Sequence, residues 1–262
     1  VAVKLETLFA YVLEAEFAVA SAGSRVDRRS WGAILVAPEY PQVHDANMAW
    51  VEGLPPGGTS QVLLELDSTM RANGISYRHL EFANPEAAVA AHPTLVGLDY
   101  RPTRAAAMVR LGSVTCIRNP DLEVREVDTP AERDVFDAVL AELFAESKYS
   151  AELSRQLLER IRARSSTLKE VLYLGLFNDE GAGTATLIPR EKLALIDEVG
   201  TRPKFRRRGV ARTVVDDVAD RAQAMGLPYV GLVTGWDNTV ARTLYESLGY
   251  KPVGEIRGFQ KP

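Results

Sequence analysis

The apolar positions of this chain change period several times, most sharply in its second half. From Ala211, the residues Val214, Val215, Val218, Ala219, Ala222 and Met225 follow i, i+3, i+4, i+7 spacing, with Arg212, Asp216, Asp217, Asp220 and Arg221 opposite. That pattern predicts an amphipathic helix with a solvated charged face, ended by Gly226. Residues 122–127 alternate apolar and charged, as a half-buried strand does. Thr129-Pro130-Ala131-Glu132 then offers an N-cap, a proline at the first helical position and an acidic first turn. A helix over about 130–146 follows, and a second over about 150–164 has Leu153, Leu157, Leu158 and Ile161 on one side. Three strand-like runs, 171–177, 184–188 and 193–199, are joined by short turns, which predicts an antiparallel meander. Residues 229–233 read as a buried strand. Asn238 caps a helix carrying Ala241, Leu244, Tyr245 and Leu248, and a last strand covers 250–259. The expected order over 122–262 is β-α-α-β-β-β-α-β-α-β.

A strand over 108–117 ends at Asn119-Pro120-Asp121, which reads as a boundary. The first half faintly echoes the second. Residues 61–72 are helical in pattern, and Gly74-Ile75-Ser76-Tyr77 parallels Gly226-Leu227-Pro228-Tyr229. Asn84-Pro85-Glu86-Ala87 parallels Asn238-Thr239-Val240-Ala241, and the Gly97 to Tyr100 stretch parallels Gly249-Tyr250. The sequence therefore predicts two domains, 1–120 and 121–262, the first a degenerate copy of the second or an accessory α/β unit.

Composition narrows the partners. The 262 residues are 46% hydrophobic and carry a net charge of −4. Neither half is basic, which argues against bulk binding to nucleic acid or anionic membrane. The single cysteine, Cys116, excludes an intrachain disulfide framework and a cysteine-rich zinc site. No apolar run approaches the ~18–20 residues of a membrane span. Glu6, Glu14 and Glu16 interrupt any signal-peptide core, so a cytoplasmic protein is expected. His44, His79 and His92 show no pair at metal spacing; they and Trp31, Trp50 and Trp236 read as packing residues, and no metal is expected.

One stretch carries chemistry. In residues 199–211 a strand ends, a basic loop with Arg206, Arg207, Arg208 and Gly209 follows, and a helix begins near Ala211. Free N–H groups at a helix N-terminus and the helix dipole favour an anion there. The dipole supplies only ~0.3–1 kcal/mol, so arginines and several N–H bonds must do the rest. A pyrophosphate suits such a site better than a carboxylate.

Arg206-x-x-Gly209-x-Ala211 after a strand, preceded by Thr201-x-Pro203-x-Phe205, and then Asn238-x-x-Ala241-x-x-Leu244-Tyr245-x-x-x-Gly249-Tyr250 resemble the GNAT superfamily of acyl-CoA-dependent acetyltransferases. The resemblance covers about residues 122–262. It implies an α/β (α+β) fold with a mixed, mostly antiparallel sheet flanked by helices, and acetyl-CoA as co-substrate. Backbone groups of Val199, Gly200 and Thr201 would bind the pantetheine arm and acetyl carbonyl. The N–H groups of Arg207, Arg208, Gly209, Val210 and Ala211 would hold the pyrophosphate. Asn238 would contact the pantetheine region, and Tyr245 would face the thioester sulfur. Acetyl would pass directly to an amine, without an acyl-enzyme.

An acceptor amine of pKa ~10.4 costs roughly 4.6 kcal/mol to deprotonate at pH 7, so a base should help. Asp197 and Glu198 lie on the strand entering the loop, where alternation puts them on opposite faces. Glu198 is the preferred base and Asp197 the second candidate. Tyr245 could act as general acid or simply fill the core. The expected activity is N-acetyl transfer to a small-molecule or peptide amine, by a monomer or homodimer. The alternative is a non-catalytic acyl-CoA-binding module. Glu146, Glu152 and Glu159 hint at a cationic acceptor, although a solvated helix face explains them equally. The first half has Leu54-Pro55-Pro56-Gly57-Gly58-Thr59 in place of the basic loop and no counterpart of Tyr245, so it should neither bind acetyl-CoA nor catalyse.

Overall fold

A computed structural model describes residues 3–112 and 114–262. The chain forms two compact units, each containing chain from both ends. One comprises residues 16–106, 235–237 and 254–262; the other comprises 1–15, 107–234 and 238–253.

The first unit is built from the last turns of α1 (Leu5–Ser21), then β1 (Arg25–Arg29), β2 (Gly32–Val36), β3 (Met48–Val51), α2 (Gly58–Ala72), β4 (Arg78–Phe82), α3 (Pro85–Gly97) and the start of β5 (Arg101–Arg110). Strands β1, β2 and β3 form an antiparallel meander, and β3 then pairs in parallel with β4 across α2. Asn84 caps α3, its side chain accepting from the Glu86 and Ala87 N–H groups. Trp31, Ile34, Leu66, Met70, Leu80, Phe82 and Phe259 share one core. Phe259 arrives on the far end of the final strand, whose residues 257–261 pair antiparallel with β4. Strands β1 to β3 and helix α1 have no counterpart in the sequence reading.

The second unit follows the expected order: β6 (Glu123–Glu126), α4 (Pro130–Glu146), α5 (Ala151–Leu168), β7 (Val171–Phe177), β8 (Glu180–Pro189), β9 (Ala194–Thr201), α6 (Val210–Ala224), β10 (Val230–Gly235), α7 (Thr239–Ser247) and β11 (Tyr250–Lys261). Strands β6, β7, β8 and β9 are antiparallel neighbours, and β9 runs parallel to β10. Thr129 and Glu132 form a reciprocal capping box at α4, the arrangement that satisfies two open donors of a helix start. Among the described residues no helix is long and apolar enough to cross a membrane.

Three local expectations fail. The strand placed at 108–117 ends at Arg110 and begins at Arg101. Helix α5 buries Gln156, Arg160, Ile161, Arg164 and Leu168, so a polar i, i+4, i+8 line faces inward. The acidic side of α6 is not simply solvated. Asp216 is buried and pairs with Arg110 at 2.9 Å and Arg118 at 2.7 Å; Arg118 also reaches Asp217 at 2.9 Å. Periodicity sees Asp216 only as a charge opposite the apolar stripe, not the arginines that neutralise it.

Candidate active site

The register of β9 against β8 slips at the residues expected to supply the base. Gly200 faces Thr184, whereas Asp197 faces Thr186. Three steps on β9 match two on β8, so β9 carries an extra residue, a β-bulge. Glu198 occupies it with φ +50°. That left-handed conformation costs a non-glycine residue ~1–2 kcal/mol. Side chains hold the kink: Thr184 Oγ1 donates to the Glu198 carbonyl at 2.8 Å, and the Glu198 N–H donates to Asp197 Oδ1 at 2.8 Å.

The bulge cancels the alternation expected of this strand. Asp197 and Glu198 do not lie on opposite faces. Arg164 Nη2 donates to Asp197 Oδ2 and Glu198 Oε1, each at 3.0 Å. The Arg164 Nε lies 2.9 Å from Glu170 Oε1, and Ser165 Oγ donates to the other Glu170 oxygen at 2.9 Å. One buried guanidinium thus faces three carboxylates. Burial pushes the Glu198 carboxyl up, Asp197 pushes it further, and Arg164 partly offsets both, leaving it at about 7. Glu170 is likewise raised by burial, opposed by Arg164. Gln156 and Arg160 continue the same line of α5. Sequence reading missed Arg164, Arg160 and Gln156. Their spacing of four was visible, but charged residues at that spacing ordinarily mark a solvated face.

Among the described residues, strands β9 and β10 pair only at Ala194 with Val230 and at Leu195 with Gly231. Beyond Leu195 they part, which leaves the β10-facing backbone of residues 196–201, including Val199, Gly200 and Thr201, without a strand partner. Gly200 is tightly enclosed: a β-carbon there would lie 2.2 Å from Leu143 Cδ1.

The loop after β9 turns through Pro203–Phe205, a single 3₁₀ turn with Phe205 buried. Arg207 and Gly209 are left-handed, at φ +63° and +76°. Gly209 is the N-cap of α6, and no side chain caps the helix. The first-turn N–H groups, those of Val210 and Ala211 among them, are therefore open to an anion. The three arginines differ. Arg206 forms a two-pronged pair with Glu146, Nη1 to Oε1 at 2.6 Å. Arg208 stacks on Phe177 at 4.1 Å, and its carbonyl accepts from Asn119 Nδ2 at 2.8 Å. Arg207 makes no ion pair among the described residues. Pairing also removes the hint of a cationic acceptor: Glu146 binds Arg206, while Glu152 and Glu159 both bind Arg155.

Asn238 caps α7, its Oδ1 accepting from the Ala241 N–H at 3.2 Å. Tyr245 is buried, with its ring 6.0 Å from that of Tyr250. Burial and, secondarily, Asp197 push the Tyr245 hydroxyl up to about 12, so it is protonated at neutral pH. The same unit therefore holds a carboxyl poised near neutrality, a protonated tyrosine, an opened strand pair and an uncapped helix start.

Residues 137–250 match the family described as acetyltransferase (GNAT) family. This part of the chain is a GNAT domain. Its parting strands and Gly209-capped helix lie inside the matched range. The whole chain also resembles solved structures. It covers 92% of its length against 94% of a functionally unknown conserved protein from Staphylococcus epidermidis, at 15% identity and TM-score 0.74. Against a GCN5-related N-acetyltransferase from Kribbella flavida the coverage is 97% and 95%, at 16% identity and TM-score 0.69. A tandem GNAT protein from the clavulanic acid biosynthesis pathway gives 91% and 83%, at 14% identity and TM-score 0.57. At these identities the likeness is one of fold, and it extends beyond the GNAT domain into the first unit. No curated protein sequence matches the chain.

Proposed function

We propose that the GNAT domain is an acetyl-CoA-dependent N-acetyltransferase that moves acetyl directly onto an amine. The observation that carries this reading is the bulge at Glu198, a residue of β9 whose carboxyl is raised to about 7. Pantetheine would lie along Val199, Gly200 and Thr201 as an added strand, near Asn238. The N–H groups of residues 207–211 would hold the pyrophosphate, with Arg207 free to add charge and Arg206 available by exchange from Glu146.

In this reading Glu198 takes a proton from the acceptor ammonium, directly or through water. The neutral amine attacks the thioester carbonyl carbon, a C–N bond forms and the C–S bond breaks. Tyr245 protonates the leaving sulfur and is itself reprotonated by the second proton that the attacking nitrogen loses as the amide forms. A base whose pKa lies near the working pH is the efficient choice. The acceptor is a small-molecule or peptide amine, and the place of action is cytoplasmic. The test is release of free thiol from acetyl-CoA across a panel of amines. Tight binding of acetyl-CoA with no turnover on any amine would favour a non-catalytic binding module instead.

A further inference from the structure

The first unit holds a cluster that the acetyl-transfer reading does not use. His79 and Glu81 are two apart on β4, so their side chains leave the same face, opposite Leu80 and Phe82 in the core. Asp45 comes from the short turn over residues 44–46. His79 Nδ1 lies 3.8 Å from Asp45 Oδ1, and its Nε2 lies 3.7 Å from Glu81 Oε1. One ligand atom from each of the three lies within 4.8 Å of the other two.

The histidine is the telling member. It is 1% exposed, and neither imidazole nitrogen makes a hydrogen bond. A buried polar group left this way carries a cost of ~1–3 kcal/mol, which native structures ordinarily avoid. As placed, both carboxylates stand outside hydrogen-bond reach of the ring, at 3.7 and 3.8 Å, and a cation drawing them together would satisfy one of its nitrogens. Zinc holds nitrogen and oxygen ligands at about 2.0–2.2 Å, which places tetrahedral neighbours roughly 3.3–3.6 Å apart. Asp45 and Glu81 approach different nitrogens of the ring, so an ion on either one draws the farther carboxylate in from within 4.8 Å, a side-chain movement of roughly an ångström to reach that spacing.

The frame around the cluster is rigid. Asn47 is buried and accepts from the Ala37 N–H at 2.8 Å while donating to the carbonyls of Tyr40 at 2.9 Å and Val43 at 3.1 Å. The Tyr77 hydroxyl also donates to the Val43 carbonyl at 2.7 Å. These bonds fix the turn that carries Asp45. The Asp45 side chain is 66% exposed, so the cluster opens to solvent on that side and a cation has a way in.

We infer that Asp45, His79 and Glu81 form a divalent-cation site of the zinc class, with one imidazole nitrogen and two carboxylates as ligands and water completing the shell. The set of nitrogen and oxygen donors suits zinc or a neighbouring first-row ion better than calcium or magnesium.

The test uses the full chain, stripped with chelator and titrated with Zn²⁺ by calorimetry and with Co²⁺ by visible absorption. One ion per chain is expected, with a Co²⁺ spectrum distinct from the aquo ion. Asp45→Asn and Glu81→Gln, which leave the buried histidine in place, should each weaken Zn²⁺ binding by at least about tenfold. His79→Gln should abolish the Co²⁺ bands. Absence of saturable Zn²⁺ binding, or binding unchanged in both Asp45→Asn and Glu81→Gln, would overturn the assignment.

Discussion

Arg164 and Glu198, 34 residues apart in the chain, meet at 3.0 Å inside the second unit. That contact exists because a bulge turns Glu198 out of the strand alternation and toward α5. It gives the carboxylate a counter-charge strong enough to keep it ionisable, yet not strong enough to cancel its burial. Glu198 would be an inert ion with more cationic neighbours and a neutral acid with fewer.

The pH dependence follows from that balance. A base must be deprotonated to work, and burial raises Glu198 to about 7. In the proposed reaction kcat/KM should climb about tenfold per pH unit below that value and level off above it. Glu198→Gln should lower the rate and remove the levelling near that value. A pH–rate profile of both proteins checks it; an identical plateau in the variant would assign the titration elsewhere.

Arg164 is the shared counter-ion of Asp197, Glu198 and Glu170. Arg164→Met leaves three crowded carboxylates, two of them raised already. Breaking a buried pair on one side costs about 3–5 kcal/mol, measurable by urea unfolding. The activity limb should also move to higher pH, because the group that lowers the Glu198 pKa is gone. A variant of unchanged stability and unchanged limb would contradict this role.

Gly209 stands at φ +76° as the N-cap of α6. Gly209→Ala should cost ~1–2 kcal/mol through the left-handed conformation and crowd the open N–H groups. The expected kinetic result is a raised KM for acetyl-CoA with kcat little changed, the mark of lost uniform binding. Initial-rate measurements at saturating amine separate the two constants.

Tyr245→Phe removes a hydroxyl whose pKa is about 12 and leaves the ring packing. A thiol leaves fairly well unaided, so kcat should fall toward the low end of the ~10²–10⁴ range for general acid catalysis. Full turnover in the variant would make Tyr245 a packing residue.

Much of this was legible in the sequence. The element order of the second unit follows from periodicity, and the Thr129 and Asn238 caps from their residue types and positions. Gly209 and the basic loop marked the uncapped start of α6. Three things were not legible. A bulge depends on how β8 and β9 register, so the shared face of Asp197 and Glu198 could not be read from alternation. The inward polar line of α5 looks the same as a solvated one until its partners are known. His79 and Asp45 are separated by 34 positions, and only the packing of the 44–46 turn against β4 brings them together.

The most direct test is thiol release from acetyl-CoA with an amine panel, run in parallel on the unaltered protein and Glu198→Gln. The account predicts amine-dependent release that rises to a plateau above about pH 7 in the first, and in the second release that is strongly reduced near neutrality and has no such plateau, following only the free-amine fraction. Acetyl-CoA binding without release on any amine, or equal release from both proteins, would contradict it.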